Sequence, residues 1–231
     1  MSSFFTFAAN GKAQVLTDGA WLHPDGRLLA VDKKVFAFPN HPVAIVGRGT
    51  SATEVAEIIA HLVELSRTKA NWSVERMLDG VRMLFVLLSD RGEFKADFLI
   101  AAWTPKGGPQ HFYVPCCGER EGFPLFELTQ IEPGLQMSSP AILPEELAHL
   151  GITAEDVAEP DFLERHGAEI MRAMRSKRDR IPGSDVDMFL VGGRCDLTTV
   201  SATGVSTKTL CTFDDVVGEL IDPAVRATLC S

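Results

Sequence analysis

The chain has 231 residues, 45% of them hydrophobic and 23% charged, with a formal net charge of -9. That length can bury a substantial core without disulfide or metal staples, and the composition is that of a globular protein. An acidic chain without a basic stripe argues against nucleic acid and anionic membrane surfaces as partners.

The first fifty residues read as β-structure. Phe4 to Ala8 is a short apolar run, and Asn10-Gly11 is the strongest hairpin signal in the chain. Ala13 to Leu16 leads into Thr17-Asp18-Gly19, and Pro24-Asp25-Gly26 makes a second turn. Leu28 to Phe38 is the next strand region, interrupted by Pro39, Asn40 and Pro42. Val43 to Val46 is a buried-type strand ending in Gly47-Arg48-Gly49.

Two helices follow. Ser51-Ala-Thr-Glu54 fits a capping box, and Val55, Ile58, Ile59, Leu62, Val63 and Leu65 recur at helical spacing. Ser73 opens a second amphipathic stretch that runs to about Ser89-Asp90-Arg91-Gly92. Strand signals return at Asp97 to Trp103, His111 to Val114 and Leu125 to Ile131, and Glu132 to Leu143 reads as loop. A helix is expected from about Asp161 to Arg178. Strands are expected at Asp187 to Val191, Cys195 to Val200 and Ser206 to Leu210, with a short final helix at Phe213 to Leu220. The five Lys/Arg between Arg172 and Arg180 fit the solvated face and end of a helix. A parallel doubly wound sheet needs one helix per crossover, so this order points instead to two antiparallel sheets with helices on their outer faces. No domain linker interrupts it, and 1–231 is expected to form one α+β domain.

Cys116, Cys117, Cys195, Cys211 and Cys230 are odd in number and form no CxxC pair. The six histidines, His23, His41, His61, His111, His149 and His166, form no HxxxH or HExxH pair. Neither pattern calls for a metal or another cofactor, and free cysteines fit a reducing compartment. The opening MSSFFTFAANGK has no secretory pattern, and the longest apolar run, Met83 to Leu88, is too short to span a bilayer. A cytoplasmic location is the expectation.

The chemistry concentrates near the start. Removal of Met1 would expose Ser2, which then carries a hydroxyl nucleophile and a free α-amine on one residue. The α-amine titrates near pH 7.7–8.0, so it can serve as general base at neutral pH. Asp18 lies 16 positions after Ser2, and Lys34 lies 32 positions after it. A lysine beside the nucleophile favours its less protonated form, a carboxylate holds that lysine in place, and a glycine N–H can face an oxyanion. Taken singly, Asp18-Gly19 is also an ordinary turn, Lys34 an exposed strand lysine, and Gly47-Arg48-Gly49 a strand-to-helix turn. GRGTSATE matches neither nucleotide-binding glycine pattern.

The joint placement of Ser2, Asp18-Gly19, Lys34-Val35 and Gly47-Arg48-Gly49 resembles the proteasome β-subunit family, its bacterial HslV-type members most closely. The segment from Thr17 to Ile59 looks like that family's strand-strand-helix region. The resemblance implies a four-layer αββα sandwich of the N-terminal-nucleophile (Ntn) hydrolase type. It implies a peptidase or amidase acting on peptide or amide substrates, with no cofactor. Its site would comprise Ser2, Asp18, Lys34, Gly47 (or Gly49) as oxyanion donor, and Asp179. It also implies a homo-oligomeric ring or spiral, with a regulatory ATPase as a possible partner. The second half departs from the pattern. In Arg178-Asp179-Arg180-Ile181-Pro182-Gly183, Pro182 stands where the family has a serine, and Asp179 is open to reading as a surface residue at a helix end. Ser138 and Ser139 are the nearest substitutes for the family's Gly-Ser-Gly turn. A non-catalytic assembly or binding subunit with the same fold is the alternative.

Overall fold

In the computed structural model, which describes residues 3–92, 94–118, 120–132, 137–180, 184–224 and 227–229, the Asn10-Gly11 turn joins β1 (Phe4–Ala9) to β2 (Lys12–Asp18). Both turn residues have positive φ, 51° and 75°. That backbone matches the twist of two antiparallel strands and is best tolerated by Asn and Gly. The hairpin of β3 (Ala20–Leu22) and β4 (Leu28–Val31) follows, and then β5 (Val35–Ala37) pairs with β6 (Val43–Gly49). The expected strand from Leu28 to Phe38 is therefore split. Asp32, Lys33 and Lys34 bridge between two different sheets. Strand β6 runs on through Gly47-Arg48-Gly49, which pair with Phe98, Asp97 and Ala96.

Helices α1 (Ala52–Thr68) and α2 (Val74–Ser89) begin as expected. Ser51 Oγ accepts the Glu54 N–H at 3.3 Å and Ser73 Oγ accepts the Arg76 N–H at 3.2 Å. Each bond satisfies one orphan donor of a helix start. Strands β7 (Ala96–Thr104) and β8 (Gly108–Pro115) are longer than predicted. Of the Leu125–Ile131 run only β9 (Thr129–Gln130) is strand, and the expected loop contains β10 (Ser138–Ser139).

Two short helices, α3 (Pro144–His149) and α4 (Ala154–Ala158), were not anticipated. Pro144 stands in the first turn of α3, and Thr153 and Asp156 form a reciprocal capping box at α4. Helix α5 (Phe162–Arg175) stops short of Arg178, because Arg178 and Asp179 form β11 (Arg178–Asp179) against β12 (Met188–Phe189). The chain closes with β13 (Arg194–Ser201), β14 (Gly204–Phe213) and β15 (Ala227–Leu229). The predicted helix at Phe213 to Leu220 does not form. Phe213 ends β14, with its N–H on the Gly193 carbonyl at 2.8 Å. Asp215 is drawn off the helical path by Arg175 and the Gly193 N–H.

The protein is mixed α+β, built on antiparallel sheets. A six-stranded sheet has the order β10-β1-β2-β13-β14-β15, and a five-stranded sheet has the order β5-β6-β7-β8-β9. Alternation along the strands sorts the core. Val43, Ile45, Phe98 and Ile100 pack with Val55, Leu62, Met77 and Phe85 of α1 and α2. Their neighbours Ala44, Val46, Leu99 and Ala101 instead join Phe4, Ala13 and Val15 of the six-stranded sheet. The other face of that sheet, with Phe5, Phe7, Leu16 and Leu197, packs with Phe162, Ile170, Met171 and Met174 of α5. A fully buried Phe or Leu in these layers contributes roughly 1.5–3 kcal/mol through removal from water. Among the described residues no helix is long and apolar enough to cross a membrane.

Candidate active site

The single residue between β2 and β3, Gly19, places Asp18 at the end of an interior strand, with its carboxylate wholly buried. Four donors converge on it. Lys34 Nζ donates to Oδ1 at 2.7 Å and the Ser3 N–H donates to the same oxygen at 2.8 Å. The Ala20 N–H reaches Oδ2 at 2.9 Å, and the Gly192 N–H reaches it at 3.4 Å. The first of these two is the local turn bond that an Asp-Gly pair favours. Asp18 therefore both makes the turn and holds the lysine.

Lys34 is buried while Lys33 beside it is exposed. Desolvation pushes the Lys34 ammonium below its ordinary lysine pKa, and the Asp18 charge and hydrogen bond oppose that shift. The lysine arrives from the bridge between β4 and β5, so it crosses from one sheet to the other with Asp18 as its anchor. Among the described residues Asp18 is its one hydrogen-bond acceptor.

Ser2 itself lies outside the described residues, as do Met1, Pro182 and Gly183. Its neighbour Ser3 is buried at the head of β1, tied through its N–H to Asp18 and through its carbonyl to the Asp18 N–H at 3.4 Å. Ser3 Oγ and Thr17 Oγ1 are buried there without partners among the described residues.

Gly47 lies inside β6 opposite Phe98, not in a strand-to-helix turn. A Cβ at this position would meet Val55 Cγ1 at 2.5 Å and Phe98 Cε1 at 2.9 Å, so close packing of α1 on the sheet requires glycine here. At Gly49 a Cβ would meet the Lys95 carbonyl oxygen at 2.5 Å.

Asp179 sits past the end of α5, in β11, with its side chain 29% exposed. Its Oδ2 accepts the Ser139 hydroxyl, and its Oδ1 accepts the Arg180 N–H at 2.8 Å. Ser139 is itself opposite Phe4 in the β1–β10 pair, one residue beyond Ser3. Of the two candidate serines, Ser139 thus faces Asp179. Ser138 caps a local turn, accepting the Ile142 N–H at 3.0 Å. The structure brings Asp18 and Lys34 together, and separately brings Asp179 and Ser139 to the same strand β1.

Arg48 was not singled out from the sequence. Its guanidinium is buried, donates to Ser139 Oγ and to the Arg180 carbonyl at 2.9 Å, and lies 3.8 Å from Asp179 Oδ2. On the other side its Nε lies 3.7 Å from Asp97 Oδ2, an oxygen that accepts from Arg120 at 3.3 Å. Burial raises the Asp97 pKa, partly offset by the nearby Tyr113 hydroxyl and the charges of Arg48 and Arg120. A sequence signal existed: Ala44, Val46 and Arg48 share one face of a strand, so an inward arginine ends an apolar row.

Among the described residues no group of His, Cys, Asp and Glu is arranged to hold a metal ion. Cys116, Cys195 and Cys211 are free thiols, and Cys230 lies outside the described residues. Cys195 and Cys211 face each other across β13 and β14, a pairing their separation in sequence did not reveal. No family model matches the sequence, and no curated protein matches it at significant similarity.

Proposed function

We propose that this protein is an N-terminal-nucleophile amide hydrolase of the proteasome type, with Ser2 as nucleophile once Met1 is removed. The observation that carries the reading is the buried Lys34–Asp18 pair, whose carboxylate also takes the N–H of Ser3, the residue next to Ser2. A buried ion pair is weak evidence for stability, since its desolvation offsets its attraction. One tied to the first strand at the candidate nucleophile is better accounted for by chemistry. Three apolar layers, helix against sheet, sheet against sheet and sheet against helix, support an αββα four-layer arrangement for the fold.

In this mechanism Ser2 Oγ attacks the amide carbonyl and its proton passes to the Ser2 α-amine. The buried ammonium of Lys34 favours the deprotonated nucleophile, and Asp18 keeps that ammonium oriented. The C–N bond breaks as the α-amine returns the proton to the leaving nitrogen, which leaves an ester on Ser2. Water, deprotonated by the same amine, then hydrolyses that ester and frees the acid. Gly47 or Gly49 would supply the oxyanion N–H, and Asp179 with Ser139 would hold the N-terminus. The expected setting is a cytoplasmic homo-oligomer, a ring or spiral enclosing the sites, acting on peptide or amide substrates. A non-catalytic assembly or binding subunit is the second reading, favoured by Pro182 in place of a serine.

The test is intact mass with N-terminal sequencing, followed by labelling with a β-lactone probe. Loss of Met1 and one probe per chain on Ser2, absent in Ser2→Ala, is the expected result. Retained Met1, or equal labelling of Ser2→Ala, rejects the hydrolase in favour of the binding subunit.

A further inference from the structure

Arg48 stands at a junction that Asp18 and Lys34 do not explain. It faces Asp97 directly across the β6–β7 pair, and its guanidinium leaves that strand to reach Ser139 on β10, Asp179 on β11 and the Arg180 carbonyl just past it. These elements come from three distant parts of the chain. Burying an arginine requires that its charge be matched, and here the counter-charges are Asp97 and Asp179, while Ser139 and the Arg180 carbonyl accept its hydrogen bonds and Nε has no acceptor among the described residues. Ser139 in turn is held opposite Phe4, so the network ends at the first residue of β1, two positions after Ser2 in sequence.

We propose that Arg48 is a positioning residue of the active site, clamping Ser139 and Asp179 against the start of β1 so that they orient the Ser2 α-amine. This rests on the hydrolase reading above. It also accounts for how the site is completed where Pro182 offers no hydroxyl: the guanidinium holds Asp179 directly and through Ser139. A guanidinium suits the task because its planar fork donates in several directions at once, which an ammonium cannot reproduce.

The charged and titratable groups around it are Asp97 on β7, Tyr113 on β8, Arg120 in the following loop and Asp179 on β11. The net effect of removing Arg48 on the Ser2 amine has one sign. A cation is lost and Asp179 is less neutralised, and both favour the protonated amine.

The experiment measures the rate of β-lactone labelling of Ser2 against pH, in the full chain, for wild type, Arg48→Lys and Arg48→Met. Arg48→Met is expected to label about 100-fold more slowly, the loss typical of a misplaced reacting group. Its acidic limb is expected to move up by roughly one pH unit. Arg48→Lys keeps the limb where wild type has it and recovers the rate only in part. A purely structural arginine would not move the limb. Should Arg48→Met fail to fold, Arg48→Met/Asp97→Asn removes the carboxylate that faces the lost guanidinium and is read by its rate, with the same loss of about 100-fold expected. Wild-type rate and limb in a folded Arg48→Met, or wild-type rate in that double variant, overturn the clamp alone. Absence of Ser2 labelling in wild type overturns the hydrolase reading and the clamp with it.

Discussion

Asp18 and Lys34 are a buried pair with unequal support, and that asymmetry predicts how each will respond to removal of the other. In Lys34→Met, Asp18 keeps the N–H groups of Ser3, Ala20 and Gly192. A carboxylate with several backbone donors remains stabilised, so the expected loss is about 1–3 kcal/mol. In Asp18→Asn, Lys34 is left with at most a neutral amide acceptor and loses its buried counter-charge while remaining buried. An uncompensated buried ion costs about 3–5 kcal/mol, so Asp18→Asn should be the more damaging change by at least about 1 kcal/mol. The double variant should lose less than the sum, with a coupling of about 1–3 kcal/mol. The pH dependence has a definite sign. Desolvation already depresses the Lys34 pKa in the folded chain, and without the Asp18 charge that depression deepens. The unfolded chain then binds the extra proton across the alkaline range, so the stability of Asp18→Asn should rise with pH towards the normal lysine pKa. Urea unfolding followed by tryptophan fluorescence at neutral and alkaline pH measures all of these. Equal losses in the two single variants, or a pH-independent Asp18→Asn, would refute the reasoning. Both single variants should also lose Ser2 labelling.

His111 is buried, with Nε2 against the Gln14 carbonyl at 3.1 Å, and desolvation lowers its pKa to about 4. The unfolded chain therefore takes up a proton first, and stability falls as pH drops from 6.5 to 4, by about 3 kcal/mol in all. Urea midpoints across that range should decline less steeply in His111→Gln, and identical slopes would contradict the assignment. The two glycines of β6 should differ. Gly47→Ala meets two side chains and should cost about 1–3 kcal/mol, whereas Gly49→Ala meets the Lys95 carbonyl and should cost more. Thermal melts of the pair decide it, and a Gly49→Ala milder than Gly47→Ala would be the wrong order.

Part of the site was legible because its determinants are local or strictly spaced. Asn10-Gly11 dictates a tight hairpin by backbone preference alone, and that hairpin sets Asp18 beside Ser3. Lys34 is buried and Lys33 exposed, the opposition expected from strand alternation, although both lie in the bridge between β4 and β5. The serine caps at Ser51 and Ser73 located both helix starts. The missed elements were decided by distant partners. The run from Phe213 to Leu220 has helical spacing, yet Arg175 and Gly193 claim Asp215, and the helix is lost. Arg178 and Asp179 continue a helical pattern, yet pairing with Met188 and Phe189 makes them strand.

The order of residues by itself determined the hairpin, the alternating strands and the two capped helices, because each depends on backbone preference or on periodicity within a few dozen residues, whereas the pairing of Asp18 with Lys34 was expected from the family resemblance alone. Only the tertiary structure decided that Ser139 rather than Ser138 faces Asp179, that Gly47 is glycine for helix packing, and that Arg48 joins three remote segments. Those outcomes depend on which polar group is buried beside which. Burial forces each charge and donor to find a partner, and the partners available are set by how the sheets stack.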